Sequence, residues 1–326
     1  MKTSPIRSRS SKTLAWVTAA ERGRVRAHSF ARSRRSAGWP AQLVLCAACA
    51  VAAFAPARPF AQPLERPQSS LELIDPKVLR VCADLHNLPF STEKGEGFEN
   101  KLAELFADKL GRGLAYAWYP QAPGFVRNTL AAHRCDVIMG FPQGDDIVQS
   151  TNPYYRTAYS LIFKTGGEFD GISSLADPRL KQKRIGVVAG TPPATYLAAN
   201  GLLGKTKPYA LMVDTRVESS AQAMTKDLHA GEIDIGVLWG PMAGYFARQA
   251  NPPMQVVPLL KETGGPRLVY RIAMGVRASD QNWKRELNRL IQESQPEINK
   301  LLLSYGVPLL DERDLPITEE SLSNKP

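Results

Sequence analysis

The chain has 326 residues, with 41 Lys and Arg against 31 Asp and Glu and a formal net charge of +10. Residues 1–61 hold 11 of these basic residues and a single acid, Glu21, so basic and acidic residues are equal in number over the rest of the chain. Because affinity for nucleic acid depends on releasing counterions from phosphates, a domain without net charge is not expected to bind nucleic acid.

The first 61 residues have the three parts of a secretory signal. A basic, Ser-rich region extends to Arg35, an apolar run follows from Ala41 to Ala55, and small residues up to Ala61 offer cleavage sites. The apolar run is shorter than the roughly 20 residues that a membrane-spanning helix needs. We therefore expect a cleaved leader over 1–61, a periplasmic location and no stable membrane span after cleavage; the alternative is an uncleaved membrane anchor.

Cleavage of this leader would remove Cys46 and Cys49 and leave Cys82 and Cys135. Two cysteines in an exported domain most simply form one disulfide, and the alternative is a pair of buried thiols. Cys82 lies in one predicted strand and Cys135 begins another. If the two strands are parallel neighbours, the cysteines would lie within bonding distance.

Strands and helices alternate after a polar lead-in. The pattern predicts strands and helices in the order β-α-β-α-β over 79–84, 99–111, 114–120, 125–134 and 135–140. This order implies a parallel sheet with right-handed crossovers.

A second series follows a predicted strand over 157–164. Its expected strands are 184–190, 209–213, 233–240 and 254–260, its expected helices are 191–201, 220–231 and 241–249, and a strand over 270–277 and two helices within 282–306 follow.

These two series predict an α/β protein with two lobes, each a mixed, mostly parallel sheet flanked by helices. The first lobe is expected over 72–164 and 269–312, the second over 165–268, and a C-terminal tail over 313–326. Since ligands of open α/β sheets bind beyond the carboxyl ends of the strands, the functional site is expected in a cleft between the lobes.

Three motifs resemble those of the type II periplasmic solute-binding proteins, in their amino-acid-binding branch (bacterial family 3). They are GEGFENKLAELFADKLG, STNPYYRTAYSLIF and HAGEIDIGVLWGP, and the resemblance extends over about residues 77–308. Within that superfamily, LRVCADLHNLPFSTEKGEGFENKLAELFADKLGR, GFVRNTLAAHRCDVIMGFP and VLWGPMAGYF are similar to the MoxJ/XoxJ type, which is associated with quinoprotein dehydrogenases. The paired Cys82 and Cys135 belong to that pattern.

The resemblance implies the type II periplasmic binding protein fold and an exported, non-enzymatic protein. Its implied partner is a pyrroloquinoline-quinone-dependent dehydrogenase that oxidises methanol or another alcohol, with the cytochrome c of that enzyme as a further candidate. The implied role is to assist the maturation or activation of the dehydrogenase. No cofactor is expected in this chain.

Three positions that grip a free amino acid in such receptors are changed here. The loop after the third strand reads FPQGDD and lacks the arginine that binds an α-carboxylate. Gly190-Thr191 is followed by two prolines, which have no N–H to offer an anion. Trp239 stands where an aspartate usually meets the amino group. We therefore expect an aromatic, weakly charged cleft, and its predicted residues are Asp84, His86, Leu88, Phe90, Phe141, Tyr154, Tyr155, Gly190, Thr191 and Trp239.

Two other functions remain open from the sequence. One is the substrate-binding component of an ABC transporter for a small solute other than an amino acid. The other is a small acid–base enzyme on the same fold, in which His86 would act with Asp84 and with Glu96 or Glu99. The sequence contains no catalytic-triad order and no metal-ligand spacing, so we predict neither catalytic residues nor a metal site.

Overall fold

A computed structural model describes residues 72–323. The leader predicted over 1–61 lies outside the described residues, as does the end of the predicted tail. Within the described range, the strands are β1 (Val78–Ala83), β2 (His86–Asn87), β3 (Ser91–Thr92), β4 (Gly113–Trp118), β5 (Val137–Pro142), β6 (Gln149–Lys164), β7 (Ile185–Val188), β8 (Thr206–Tyr209), β9 (Ile235–Trp239), β10 (Met254–Pro258) and β11 (Val269–Val276). The α-helices are α1 (Phe98–Leu110), α2 (Phe125–Asn128), α3 (Pro192–Ala199), α4 (Ser220–Ala230), α5 (Gly240–Gln249), α6 (Gln281–Glu293), α7 (Gln295–Ser304) and α8 (Glu319–Ser323).

The strands form a long sheet in the order β4-β1-β5-β11-β6-β9-β7-β8, with β10 also paired to β6. In the first lobe β4, β1 and β5 are parallel and β11 is antiparallel to β5. In the second lobe β8, β7 and β9 are parallel, and β9 and β10 are antiparallel to β6. The predicted two-lobed α/β architecture with mixed, mostly parallel pairing is confirmed, while the exact lobe boundaries stay a prediction.

Strand β6 belongs to both lobes. The part of β6 from Gln149 to Ala158 pairs with β11, and the part from Tyr159 to Lys164 pairs with β9 and β10. The sequence predicted only its second half, over 157–164, because Pro153 interrupts the apolar pattern of the first half. The two lobes therefore share one continuous strand of 16 residues.

Each lobe has its own hydrophobic core. Helix α1 buries Phe98, Leu102 and Phe106 against β1, β5 and β11, and α6 and α7 complete this first core from the C-terminal part of the chain. The second core lies on the other part of β6 and includes Leu161, Phe163 and residues of β7 and β9. The i, i+4 spacing of the α1 side chains explains why the pattern predicted this helix within one residue of its ends.

The predicted disulfide is confirmed. Cys82 and Cys135 are bonded, their Cα atoms are 5.3 Å apart, and β1 and β5 are parallel neighbours with Cys82 opposite Ile138. The bond lies on the side of the first sheet that Phe125, Leu130 and Phe141 also cover.

An arginine–aspartate pair recurs at the start of each lobe's central strands. Arg80 binds Asp136 through two hydrogen bonds of 2.7 Å, and Arg184 binds Asp234 in the same two-pronged way. Asp136 is fully buried and also accepts a hydrogen bond from Arg277, whereas the second pair is partly exposed. Removing one partner should therefore destabilise the protein more at the first pair than at the second.

Two predicted elements are wrong. The helix expected over 125–134 is helical only from Phe125 to Asn128 and continues as turns. The strand expected over 209–213 is displaced, since β8 ends at Tyr209 and the next residues form a loop. The apolar pattern was misleading there because Leu211 and Met212 are more than half exposed rather than buried in a sheet.

Candidate functional site

A cavity of about 510 Å³ lies between the two lobes. Four strands of the long sheet contribute residues to its floor. The floor residues are Gly140 and Pro142 of β5, Tyr155 and Tyr159 of β6, Val237, Leu238 and Trp239 of β9, and Tyr270 and Ile272 of β11. The second lobe covers the cavity with the loop that contains Ala210–Val213 and with the start of α4.

Of the ten predicted cleft residues, the structure brings six to the lining of this cavity: His86, Leu88, Phe90, Tyr155, Thr191 and Trp239. Asp84, Phe141, Tyr154 and Gly190 do not line it. Gly190 is next to the cavity and takes a positive φ of 77° that lets the chain turn from β7 into α3.

Phe141 and Tyr154 lie elsewhere because the strands contain bulges. Between Ile138 and Phe141, β5 has one residue more than the facing part of β11, and β6 has an extra residue, Tyr154, between Pro153 and Tyr155. Each bulge reverses the side to which the next residues point. Phe141 consequently packs near the disulfide.

Tyr154 is fully buried, and its hydroxyl donates a hydrogen bond of 2.7 Å to the carbonyl of Met139. It supports the ring of Tyr155, whose centroid lies 5.0 Å away. We assign Tyr154 a supporting position beneath the cavity floor rather than a direct contact with a ligand.

Asp84 joins the two lobes beside the cavity. Its carboxylate accepts hydrogen bonds from the backbone N–H groups of His86 and Gln121, at 3.0 and 2.7 Å. The hydroxyl of Thr215, on the covering loop of the second lobe, donates to both carboxylate oxygens at 3.3 Å. The buried Asp84 thus holds the covering loop in place.

Glu99 is the carboxylate that faces the cavity. It lies in the first turn of α1, is 9 % exposed, and has neither a hydrogen-bond partner nor an ion pair for its side chain within residues 72–323. Burial raises the pKa of this carboxyl to about 8. The Glu99 side chain fits at this position because residue 140 is glycine. A Cβ atom at residue 140 would lie only 2.2 Å from Oε1 of Glu99.

Three aromatic rings from three strands meet on the cavity floor. The ring centroids of Tyr159 and Trp239 are 5.2 Å apart, those of Trp239 and Tyr270 are 5.5 Å apart, and all three pairs are edge-to-face. Trp239 ends β9 and Tyr270 is near the start of β11, so the pairing of both strands with β6 assembles the group. Such contacts fix the orientation of the rings.

The described lining of the cavity offers little to an amino-acid carboxylate. Its lining includes no Lys or Arg from the described part of the chain. Thr191 donates its hydroxyl to the carbonyl of Val188 at 2.6 Å, and α3 begins with Pro192 and Pro193, which have no N–H. The FPQGDD loop contributes only Pro142, while Asp145 and Asp146 are exposed and line a separate surface pocket. Arg156 of β6 is paired with Asp314. The guanidinium of Arg267 lies over the ring of Tyr270, 4.3 Å from its centroid.

His86 and Glu99 line the same cavity, so two of the groups considered for acid–base chemistry lie in one site. Over residues 72–323 no group of three or more His, Cys, Asp or Glu side chains is arranged to hold a metal ion. In that same range no helix combines the length and the apolar character that a membrane crossing requires.

The sequence did not identify Tyr159 or Tyr270 as site residues. Tyr159 follows Tyr155 by four residues, so the two share a face of β6, but this relation is visible only if the strand is known to begin before 157. Tyr270 lies on β11, which pairs with residues more than one hundred positions earlier in the chain. The sequence signal for Tyr159 was its even spacing from Tyr155, which places both side chains on the same face of a strand.

Known proteins similar to this chain share its two-lobed architecture. No protein-family model matches the chain. Protein MoxJ of Methylorubrum extorquens is 30 % identical over 250 residues, which cover 72 % of this chain and 83 % of that protein. The crystal structure of periplasmic binding protein XoxJ from Methylobacterium extorquens is 44 % identical, covers 72 % of this chain and 100 % of its own, and has a TM-score of 0.62. The crystal structure of MxaJ from Methlophaga aminisulfidivorans is 28 % identical, covers 71 % and 100 %, and has a TM-score of 0.61.

Proposed function

This chain belongs to the MoxJ/XoxJ family of periplasmic binding proteins, and from that premise we propose that it is a periplasmic accessory protein of a quinoprotein dehydrogenase. It would bind a pyrroloquinoline-quinone-dependent enzyme that oxidises methanol or another alcohol and assist its maturation or activation. The cytochrome c of that enzyme is a further candidate partner. We propose no catalytic activity and no cofactor for the chain itself.

A two-lobed frame whose cleft has no Lys or Arg in its described lining is the observation that carries this proposal. The cleft keeps its shared strand and its aromatic floor, but the groups that would bind an α-carboxylate are missing from its lining. A binding-protein frame that no longer holds an amino acid suits a role in which another protein is the main partner. The predicted cleft residues Leu88, Phe90 and Trp239 would then offer apolar area to that partner.

The test is a pull-down of the full-length protein with the quinoprotein dehydrogenase of the same cells, followed by dehydrogenase assays with and without it. Specific capture with a change in dehydrogenase activity is expected. No capture together with unchanged activity would contradict the accessory role.

A pair of tryptophan variants shows whether the cleft takes part. Trp239→Ala removes an aromatic residue of the cavity floor, and Trp118→Ala removes a half-buried tryptophan of β4 that stacks on Tyr116 outside the cavity. If the partner uses the cleft, only Trp239→Ala should weaken capture. Equal effects of both variants would place the docking surface elsewhere.

A second candidate function is the substrate-binding component of an ABC transporter for a small solute other than an amino acid. The cavity volume of about 510 Å³ favours it, because it falls within the range of roughly 300–1,000 Å³ that is common for small-molecule sites. Mass spectrometry of the purified protein under native conditions distinguishes the two functions. A stoichiometric solute without an effect on the dehydrogenase would support transport.

A further inference from the structure

We propose that the cavity binds an organic cation, a protonated amine with a short aliphatic body, whose ammonium group pairs with Glu99 while its body packs on the aromatic floor. This ligand class does not depend on the proposed dehydrogenase partner. The proposal combines three observations about the cavity: an unpaired buried acid, aromatic walls and a described lining without Lys or Arg.

The unpaired state of Glu99 is the first step. An ionised carboxylate that is buried without a partner is strongly unfavourable, so such a group either keeps a proton or takes a positive charge from outside. In the free protein burial raises the pKa of Glu99 to about 8, which corresponds to the first alternative. An ammonium ion that enters the cavity supplies the second, because it can replace the proton and donate hydrogen bonds to the carboxylate.

The aromatic walls are the second step. Five aromatic side chains line the cavity: Phe90, Tyr155, Tyr159, Trp239 and Tyr270. The faces of aromatic rings attract organic cations, and tryptophan does so most strongly. The guanidinium of Arg267 already lies over the ring of Tyr270, 4.3 Å from its centroid, so the other four rings carry this interaction. Tyr155 is close to the acid, since the pKa of its hydroxyl is raised by burial and also by the charge of Glu99. The site therefore has both a charged end and an apolar surface beside it.

The charge of the remaining lining is the third step. Besides Glu99, the titratable residues that line the cavity are His86, Tyr155, Tyr159 and Tyr270, and Asp84 lies behind His86. Neither Lys nor Arg is among the described lining residues. A bound anion would therefore be repelled by ionised Glu99, and no positive side chain of the lining would offset that repulsion. The cavity thus selects a cation over an anion of equal size.

The test uses three ligands of equal length and different charge. Isothermal titration calorimetry of the full chain at pH 7 would compare hexylammonium, 1-hexanol and hexanoate. We expect hexylammonium to bind at least tenfold more tightly than hexanol, and hexanoate not to bind. Repeating the titration in two buffers of different ionisation enthalpy should show the release of close to one proton per hexylammonium bound, because Glu99 gives up its proton.

Two variants separate the role of Glu99 from a general charge effect. Glu99→Gln should weaken hexylammonium binding at least tenfold and abolish proton release. Asp108→Asn removes a carboxylate on an exposed part of the same helix and should change neither quantity. Comparable affinities for the three ligands, or binding that Glu99→Gln leaves unchanged, would overturn the proposal.

A measurement on the unmodified protein covers the case in which Glu99→Gln does not fold. Because hexylammonium stays protonated up to about pH 10, its Kd should depend mainly on the proton of Glu99 and should rise about tenfold for each pH unit below about 7. A Kd that does not change between pH 6 and 8 would count against the proposal.

A fourth ligand identifies the source of the amine. Nα-acetyl-lysine N-methylamide represents a lysine side chain presented by another protein, whereas hexylammonium represents a free amine. Tighter binding of the lysine analogue, with the same sensitivity to Glu99→Gln, would assign the site to a lysine of a protein segment. Failure of both cations would overturn this inference and leave the dehydrogenase pull-down unaffected, because neither titration contains the dehydrogenase.

Discussion

Replacing Glu99 with Gln is expected to make the stability of the protein less dependent on pH. Burial raises the pKa of Glu99 from an ordinary value of 4.5 to about 8 in the folded protein. Between these two pH values, the folded protein keeps a proton that the unfolded chain has released. The stability that this proton contributes is therefore fully present below about pH 4.5 and is lost as the pH rises through about 8.

The magnitude follows from the width of that window. While one additional proton is bound in the folded state, the free energy of unfolding falls by about 1.4 kcal/mol per pH unit. Between pH 5 and pH 9, the wild type should thus lose about 4 kcal/mol relative to Glu99→Gln, whose amide does not titrate. Other groups that titrate in both proteins cancel in this difference.

Urea unfolding of both proteins at intervals from pH 5 to pH 9 measures the effect. Asp108→Asn is the matched control, because it changes the same charge at an exposed position of α1, and its curve should run parallel to that of the wild type. Parallel curves for the wild type and Glu99→Gln would refute the reasoning, since they would mean that Glu99 has the same pKa in the folded and unfolded chains.

Three further predictions concern the frame of the molecule, and each is measured by urea unfolding. Reducing the bond between Cys82 and Cys135, which are 53 residues apart, should lower the free energy of unfolding by about 4 kcal/mol on the chain-entropy account. Asp136→Asn removes the buried carboxylate that Arg80 and Arg277 share, although Arg277 keeps its ion pair with Asp280, and should cost about 3–5 kcal/mol. The partly exposed Asp234→Asn should cost less than about 1 kcal/mol, and equal costs would contradict this ranking. Gly140→Ala should cost about 1 kcal/mol, at the low end for overpacking, because the new Cβ atom meets the end of the flexible Glu99 side chain on α1. Additive costs when that carboxylate is also removed would rule out this contact as the cause.

Sequence patterns predicted most of the elements because the helices and buried strands follow simple periods. The ends of α1 and α4 are marked by Gly111 and Gly231, which take the left-handed conformation that ends many helices. The disulfide was also predictable, because two cysteines remain outside the leader and both fall in strands that were predicted to be parallel neighbours. In these cases local sequence and tertiary structure agree.

The side of the sheet to which each strand residue points could not be predicted in the same way. A bulge depends on how a strand pairs with its neighbour, and the bulges at Tyr154 and before Phe141 arise against β11, which is distant in the chain. The loop around Leu211 shows the opposite failure, since an apolar run was exposed beside a cavity instead of buried in a strand.

The burial of Glu99 could not be predicted from the sequence either. An acid in the first turn of a helix is normally explained by its favourable interaction with the helix dipole at an exposed position. Its burial here depends on the space above Gly140, which belongs to a different strand. The sequence therefore offered Glu99 as one of several acids near His86, and only the packing of α1 on β5 shows which acid faces the cavity.

Strand β11 lies between β5 and β6 in the sheet, although β5 and β6 are consecutive in the chain. In chain order the strands of the second lobe therefore form one uninterrupted stretch, whereas the middle of the first sheet stays incomplete until β11 (Val269–Val276) is added. Two residues of the cavity floor, Tyr270 and Ile272, arrive with that strand. A chain that ends before about Val276 therefore contains all the strands of the second lobe but has no complete binding surface. Competence to bind a ligand is thus acquired late, in the same step that closes the first sheet.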